Sequence, residues 1–198
     1  MRFIFKYFLI SLAFITLPNI SFTQETDVKY EKEEKIKQSE FPESAIELID
    51  PILKKGKRTR YFKDHEKDNY FFEVKTIYKE EKISIKFYKD GSLLDIEILK
   101  ELNELPKDIQ EKILQYFQSN YKKHQLVRIQ IQYNREEEYE EGELEIDDDE
   151  EYLEEFLEMD IEDLIIKYEI EAEVVDEKNE RGFFEFLFDD EGKRLPSL

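Results

Sequence analysis

The sequence predicts an α+β fold of two repeats, each a helix followed by an antiparallel meander of about four strands, with an acidic helical insertion in the second repeat. Two observations support this prediction. At two places, Phe41-Pro42 and Leu105-Pro106, an apolar residue and a proline precede a series of apolar residues at helical spacing. Alternating apolar runs then lead into glycine turns in both halves, as in FYKDGSLL and FDDEGKRL.

Residues 1–23 have the pattern of a cleaved secretory signal peptide. Arg2 and Lys6 precede an apolar run, and the small side chains of Ser21 and Thr23 suit a signal peptidase. A transmembrane anchor is the alternative, although the run is short for a bilayer. Cleavage would change the formal charge from −20 to −22. We expect a periplasmic or secreted protein with no lipoprotein cysteine, since the chain has no cysteine at all.

Residues 24–40 are predicted to be a flexible charged leader. Their apolar side chains are scattered among dense charges, so little burial would offset the entropy lost on ordering. A charged helix is the alternative for this stretch.

The first repeat is predicted over residues 41–100. Pro42 suits the first turn of a helix, and Pro51 predicts a break in that helix near Asp50. The apolar period then changes from helical to two, which predicts strands, and Asp90-Gly91 is typical of a tight hairpin turn. The predicted inward side chains of these strands are Tyr70, Phe72, Val74, Ile83, Ile85, Phe87, Leu94, Ile96 and Ile98.

The second repeat is predicted over residues 101–198. A helical stripe runs to about Ser119, and strands follow with the same period of two. Their predicted inward side chains are Val127, Ile129, Ile131, Tyr133, Tyr168, Ile170, Ala172, Val174, Phe184, Phe186 and Phe188. The proline-headed helices are offset by 64 residues and the glycine turns by 101, so 37 extra residues lie in the second copy, at about 134–165.

The ordered set of motifs resembles the PepSY-like, beta-lactamase-inhibitor-like domains of exported proteins in Bacteroidetes-type bacteria. The resemblance rests on the two proline-headed helices, the strands YFFEVKTIY and YEIEAEVV, and the closing FYKDGSLL and FDDEGKRL, and it covers residues 41–198 apart from the insertion. It implies two α/β repeats with a helix on one face of each sheet, and a non-catalytic binding or inhibitory role. It assigns no functional residue, because the matching pattern is structural.

The sequence of the insertion predicts a strongly acidic amphipathic helix that begins at about Asp147. Its apolar residues recur at helical spacing and are expected to pack on the sheet, while its outer side could dock a basic partner. These apolar residues are Leu153, Phe156, Leu157, Ile161 and Leu164. A specific calcium site is not expected at Asp147-Asp148-Asp149, because the EF-hand spacing is missing.

Catalytic motifs are scarce. His65 and His124 are expected in surface turns, and two histidines without cysteine are too few for a usual zinc site. There is no nucleophile elbow, phosphate-binding glycine loop or dinucleotide fingerprint. The excess of 50 acidic over 30 basic side chains also disfavours nucleic acid as a partner. We therefore expect no enzyme, no metal and no cofactor.

The predicted function is an exported, non-catalytic binding or inhibitory module that engages a protein or peptide in the cell envelope. Its candidate partner-binding residues are Phe71, Tyr88 and Arg128, predicted to point outward from the open sheet face, and Phe156 of the acidic helix. An acidic protein that binds a small ligand or a divalent cation is the alternative, and a weak hydrolase is a third possibility.

Overall fold

The computed structural model describes residues 31–66, 69–135, 137–140, 143–146, 148–158 and 164–196. Its strands are β1 (Glu31–Ile36), β2 (Lys57–Glu66), β3 (Asn69–Tyr78), β4 (Glu81–Phe87), β5 (Leu93–Leu99), β6 (Lys123–Arg135), β7 (Glu137–Glu140), β8 (Glu143–Ile146), β9 (Leu164–Val175) and β10 (Arg181–Phe188). Its α-helices are α1 (Glu43–Leu48), α2 (Asp50–Leu53), α3 (Lys107–Asn120) and α4 (Asp149–Glu158).

Eight of the strands form one antiparallel sheet in the order β1-β2-β3-β4-β5-β6-β9-β10, while β7 and β8 form a separate hairpin. The predicted α+β fold of two helix-plus-meander repeats is therefore wrong, because the chain has a mainly-β fold around a single sheet. The join lies between β5 and β6, where Ile98 pairs with Ile131. Unpaired strand edges expose main-chain N–H and C=O groups, so pairing these two edges removes an exposed edge from each half.

The helices pack on one face of the sheet over two apolar clusters. The first lies under α1, α2 and α4, and the second lies under α3. Ile131 and Ile166 pack against both clusters, so the two are continuous at β6 and β9. The inward stripe of α3 consists of Ile109, Ile113 and Phe117, as the helical spacing predicts. Full burial of each of these side chains contributes roughly 2 kcal/mol.

Proline and glycine lie at helix boundaries and turns, as the sequence predicts. Pro42 precedes the first residue of α1, and the helix breaks before Asp50, where α2 begins. Gly91 has a φ of 92°, in the left-handed region that favours glycine, at the turn between β4 and β5. Gly192 occupies the same region, with a φ of 76°, after β10.

Two β-bulges change which residues face the core. In β5 the register shifts so that Phe87 pairs with Leu93, and Leu93 rather than the predicted Leu94 is fully buried. In β6 a shift between Leu126 and Arg128 leaves Val127 52% exposed, although its place in the alternation predicts burial. A bulge adds one residue to one strand, and the apolar alternation alone does not reveal it.

The predicted flexible leader is wrong over residues 31–36, which form the edge strand β1. This strand pairs with β2 along its whole length. Side-chain contacts support this position of β1, since His65 Nε2 of β2 lies 3.2 Å from Glu34 Oε2 and Lys75 Nζ of β3 lies 2.6 Å from Glu33 Oε1. The predicted signal peptide and residues 24–30 lie outside the described residues. Within the described ranges, no helix has the length and hydropathy to cross a bilayer.

Candidate functional site: a basic pocket on the polar face of the sheet

The sheet face opposite the helices is polar, yet many of its charged side chains are buried. Strand alternation places them there, and the register brings opposite charges together: Lys86 pairs with Glu73 on one side and with Asp95 on the other. We call this set the polar layer. Its buried members are Asp64, Glu73, Ser84, Lys86, Asp95, Glu97, Gln130 and Glu169.

Hydrogen bonds and ion pairs hold the polar layer in place. Ser84 Oγ donates to Glu73 Oε1, and Gln130 Nε2 donates to Glu97 Oε2. Lys75 Nζ lies 3.1 Å from Glu73 Oε2. Buried charge is costly unless it is paired and hydrogen-bonded, so these contacts fix the side chains of the layer in one arrangement.

The carboxyl of Asp95, within the polar layer, has a strongly raised pKa. Its pKa is raised to about 7, chiefly by burial and also by repulsion from Glu97 and Glu73, while the nearby Lys86 and the hydrogen bond from Gln132 oppose the shift. Gln132 Nε2 donates to Asp95 Oδ2 at 3.1 Å, whereas Asp95 Oδ1 has no hydrogen-bond partner in the described part of the chain. The carboxyl is therefore held partly protonated near neutral pH.

A pocket of about 710 Å³ opens beside the polar layer, between β2 and β6. Of the described residues that line it, five are basic and none is a carboxylate. The basic side chains are Arg58, Arg60, Lys75, Lys82 and Arg128, and the other lining residues are Thr59, Thr76, Ile77, Ile83, Ser84, Leu99 and Gln130. We call this the basic pocket.

An irregularity in β2 shapes one wall of the basic pocket. The register with β3 shifts between Lys57 and Arg60, and Arg58 has a φ of 58° within this shift. A hydroxyl pair secures the bend, since Thr59 Oγ1 lies 3.0 Å from Thr76 Oγ1. Thr76 Oγ1 also donates to the main-chain oxygen of Lys57 at 3.2 Å. These bonds fix the backbone that carries the two arginines of this wall.

The five cations differ in how they are neutralised. Lys75 is paired within the polar layer, and Arg128 Nη1 lies 3.3 Å from Glu171 Oε1. Burial alone would lower the pKa of Arg128, but Glu171 and neighbouring glutamates outweigh it and raise the pKa, so this guanidinium stays charged. For Arg58, Arg60 and Lys82, by contrast, no carboxylate lies within ion-pair distance in the described ranges.

The predicted partner-binding residues fall in three different places. Phe71 and Tyr88 lie together on the polar face, with ring centroids 6.0 Å apart, and Tyr88 is 44% exposed. Arg128 lines the basic pocket instead. Phe156 is only 4% exposed and packs against the ring of Tyr133, so it offers no accessible surface to a partner, contrary to the prediction. The apolar side of α4 covers the sheet, as its amphipathic pattern predicts.

Both histidines lie in strands rather than in the predicted turns. His65 is in β2 and His124 is in β6. His124 stacks near the ring of Phe117, with centroids 5.5 Å apart. Neither histidine lines the basic pocket.

Sequence reasoning missed four of the five basic-pocket cations. The local signal is KRTR at residues 57–60, three basic residues in four positions of an acidic chain. The other two missed residues, Lys75 and Lys82, follow the ordinary polar alternation of β3 and β4, and only the fold brings them beside β2. Their convergence depends on strand register and on the β2 bulge, which composition does not reveal.

No family model matches the chain, and no curated protein is similar enough to match. Among solved structures, the chain is similar to the crystal structure of a protein from Bacteroides eggerthii that is provisionally described as periplasmic. The two are 8% identical with a TM-score of 0.43, and the match covers 78% of this chain and 86% of that chain. The PepSY-like and beta-lactamase-inhibitor-like resemblance therefore stays a prediction.

Proposed function

We propose that the protein is an exported, non-catalytic binding protein whose basic pocket holds a small anionic ligand by its carboxylate, sulfate or phosphate oxygens. One observation carries the proposal: among the described residues, five cations and no carboxylate line a single pocket in a chain of formal charge −20. Arg58, Arg60 and Lys82 converge there without an ion-pair partner in the described ranges. Converging like charges repel one another, so an anion placed among them would relieve that repulsion.

The remaining lining suits a ligand that is anionic at one point and carbon-rich elsewhere. The planar guanidinium groups of arginine match two oxygens of a carboxylate or phosphate at once. Ile77 and Leu99 offer apolar surface, while Ser84 and Gln130 offer polar contacts. A volume of about 710 Å³ falls within the usual range for small-molecule sites.

The lining also favours binding over catalysis. None of the described residues that line the basic pocket carries a carboxyl or imidazole group, which are the usual general acids and bases. In the described ranges, no group of three or more histidine, aspartate or glutamate side chains is placed to hold a metal ion, so divalent-cation binding gains no support. Export is supported by the signal pattern of residues 1–23 alone.

Isothermal titration calorimetry of residues 24–198 tests the proposal directly. The probes are phosphate, sulfate, citrate and galacturonate, which present the candidate oxyanions on different skeletons. For the probe that binds, we expect R60Q and K82Q each to weaken the affinity about 10- to 100-fold, as for the loss of a charge-assisted hydrogen bond. K178Q removes an exposed cation outside the pocket and should leave the affinity unchanged. The proposal fails if the three variants weaken binding equally.

A protein or peptide partner is the second candidate, and the aromatic pair on the polar face, the exposed Tyr88 and the half-buried Phe71, favours it. Aromatic side chains are enriched in protein contact sites. A pull-down from envelope fractions should then lose one defined partner with F71A/Y88A and keep it with V127A. Equal capture by both variants would contradict this candidate.

A further inference from the structure

The two edges of the eight-stranded sheet differ sharply in character. Edge strand β1 carries four consecutive exposed charges, Lys32, Glu33, Glu34 and Lys35. Natural sheets use such charges to prevent another strand from pairing with an edge. Edge strand β10 reads RGFFEFLF and has only one charge between Gly182 and Phe188. The β10 edge therefore lacks the protection that β1 has.

The C-terminal segment covers only one end of the β10 edge. The main-chain N–H of Leu195 donates to the main-chain oxygen of Leu187 at 2.8 Å, and Arg194 forms a bridge with Phe188. The main-chain groups of Leu187 thus point away from β9. Since these directions alternate along an antiparallel strand, the main-chain groups of Arg181, Phe183 and Glu185 also point away from β9. No strand among the described residues lies beyond them.

This uncovered stretch is self-complementary. Its central residue, Phe183, is 48% exposed, and it lies on the polar face between Arg181 and Glu185. A two-fold axis through Phe183 would place each Phe183 opposite its counterpart and each Arg181 opposite a Glu185. Antiparallel pairs of opposite charge and of aromatic rings are the favourable cross-strand pairs. Any other symmetric register on this stretch would lose the charge match.

We propose that β10 pairs antiparallel with β10 of a second copy of this chain, centred on Phe183, and joins two eight-stranded sheets into one. Phe183 forms a hydrogen-bonded pair with Phe183 of the copy, and the main-chain groups of Arg181 and Glu185 complete the ladder. The C-terminal segment stops the pairing at Leu187 in both copies. A two-fold contact of this kind closes on itself and gives a dimer, not a filament.

The charges on β1 argue against the competing head-to-tail arrangement, in which β10 of one copy pairs with β1 of the next. That pairing would bury Phe183 against charged side chains and would propagate without end. The proposed dimer does not depend on the basic pocket, because no residue of β10 lines it.

The chain contains no cysteine, so a single introduced thiol reports the register. Under mild oxidation, we expect F183C to form a disulfide-linked dimer at least tenfold faster than V127C, whose side chain is similarly exposed on β6. Directly opposed residues of a hydrogen-bonded pair have Cα atoms about 5.5 Å apart, within the range that a disulfide spans. Equal rates for the two variants would overturn the proposal.

Sedimentation velocity on the unmodified chain gives the second test. The stretch is short, so we expect a weak dimer that is seen at high micromolar concentration and is lost in F183D. R181E should also abolish the dimer, because it places a glutamate opposite Glu185 at both ends of the two-fold contact. The double variant R181E/E185K restores opposite charges at both places and should restore the dimer. A monomer at millimolar concentration, or a dimer that persists in F183D, would overturn the proposal. Circular dichroism of each variant verifies that the sheet is intact.

Discussion

The carboxyl of Asp95 should make the free energy of unfolding depend on pH. Its pKa is raised to about 7 in the folded chain, against 3.8 for the ordinary carboxyl. Below about pH 4 the group is protonated in both the folded and the unfolded state. Between pH 4 and 7 the unfolded state loses the proton while the folded state keeps it, so the free energy of unfolding falls as the pH rises. Above about pH 7 this contribution levels off.

Replacing Asp95 with asparagine should remove this pH dependence. The difference in the free energy of unfolding between D95N and the wild type should grow from pH 4 to pH 7.5 in favour of D95N, by up to about 4 kcal/mol at 1.36 kcal/mol per pKa unit. Urea unfolding at four pH values measures it. The exposed Glu111 of α3 lies outside the polar layer, so E111Q serves as the control for the loss of one negative charge. Parallel curves for D95N and the wild type would show that Asp95 titrates normally.

At the scale of single elements, α4 is held on the sheet by polar contacts as well as by its apolar side. The hydroxyl of Tyr152 donates to the main-chain oxygen of Tyr133 at 2.6 Å, and both residues are buried. Asp149 Oδ2 accepts a hydrogen bond from the main-chain N–H of Leu93 at 2.9 Å. These contacts join the acidic insertion to β5 and β6, so α4 belongs to the core of the fold.

The variant Y152F should lower the free energy of unfolding by about 1 to 2 kcal/mol, because it removes a buried hydrogen bond and leaves the oxygen of Tyr133 with one bond fewer. Y88F removes a hydroxyl from an exposed ring and should change stability by less than about 0.5 kcal/mol. Urea unfolding of the two variants at pH 8 compares them. A Y152F protein as stable as Y88F would mean that water replaces the lost hydroxyl.

Most single elements could be predicted from sequence, and the exceptions have a common cause. The α3 stripe, the break at Asp50 and the turn at Gly91 all follow from local chemistry. Strand β1 was not predicted because its dense charges are typical of a solvated leader. It is a strand because its main chain pairs with β2. The bulge at Val127 was missed because it depends on the neighbouring strand. Each missed element depends on pairing with a strand that is distant in the sequence.

On the scale of the whole molecule, the single sheet should make unfolding a one-step process. The two apolar clusters share Ile131 and Ile166, and β5 and β6 pair across the midline. Neither half can then unfold without exposing the other. We expect one calorimetric transition, with equal calorimetric and van't Hoff enthalpies. Two separated transitions, or fluorescence and circular dichroism curves with different midpoints, would indicate independent halves.

The arrangement of the whole sheet explains why the candidate site could not be predicted in full. The sequence predicts the outward directions of Phe71, Tyr88 and Arg128, and the structure places all three on the polar face. It does not predict that Arg128 meets Arg60 and Lys82, because that meeting needs the join of β5 to β6. The sequence leaves open whether the two halves share one sheet, so it does not predict a pocket whose lining comes from both of them.

The placement of a basic pocket within an acidic molecule has a consequence for the rate of association. An approaching anion first encounters the field of the formal charge of −20 and feels the pocket cations only at short range. At 0.15 M salt the screening length is about 8 Å, so the distant repulsion fades while the contacts inside the pocket persist. We expect the association rate constant, measured by stopped flow, to rise between 10 and 150 mM salt, the reverse of the usual behaviour of a cationic site. The protein would then capture its ligand fastest in a saline medium.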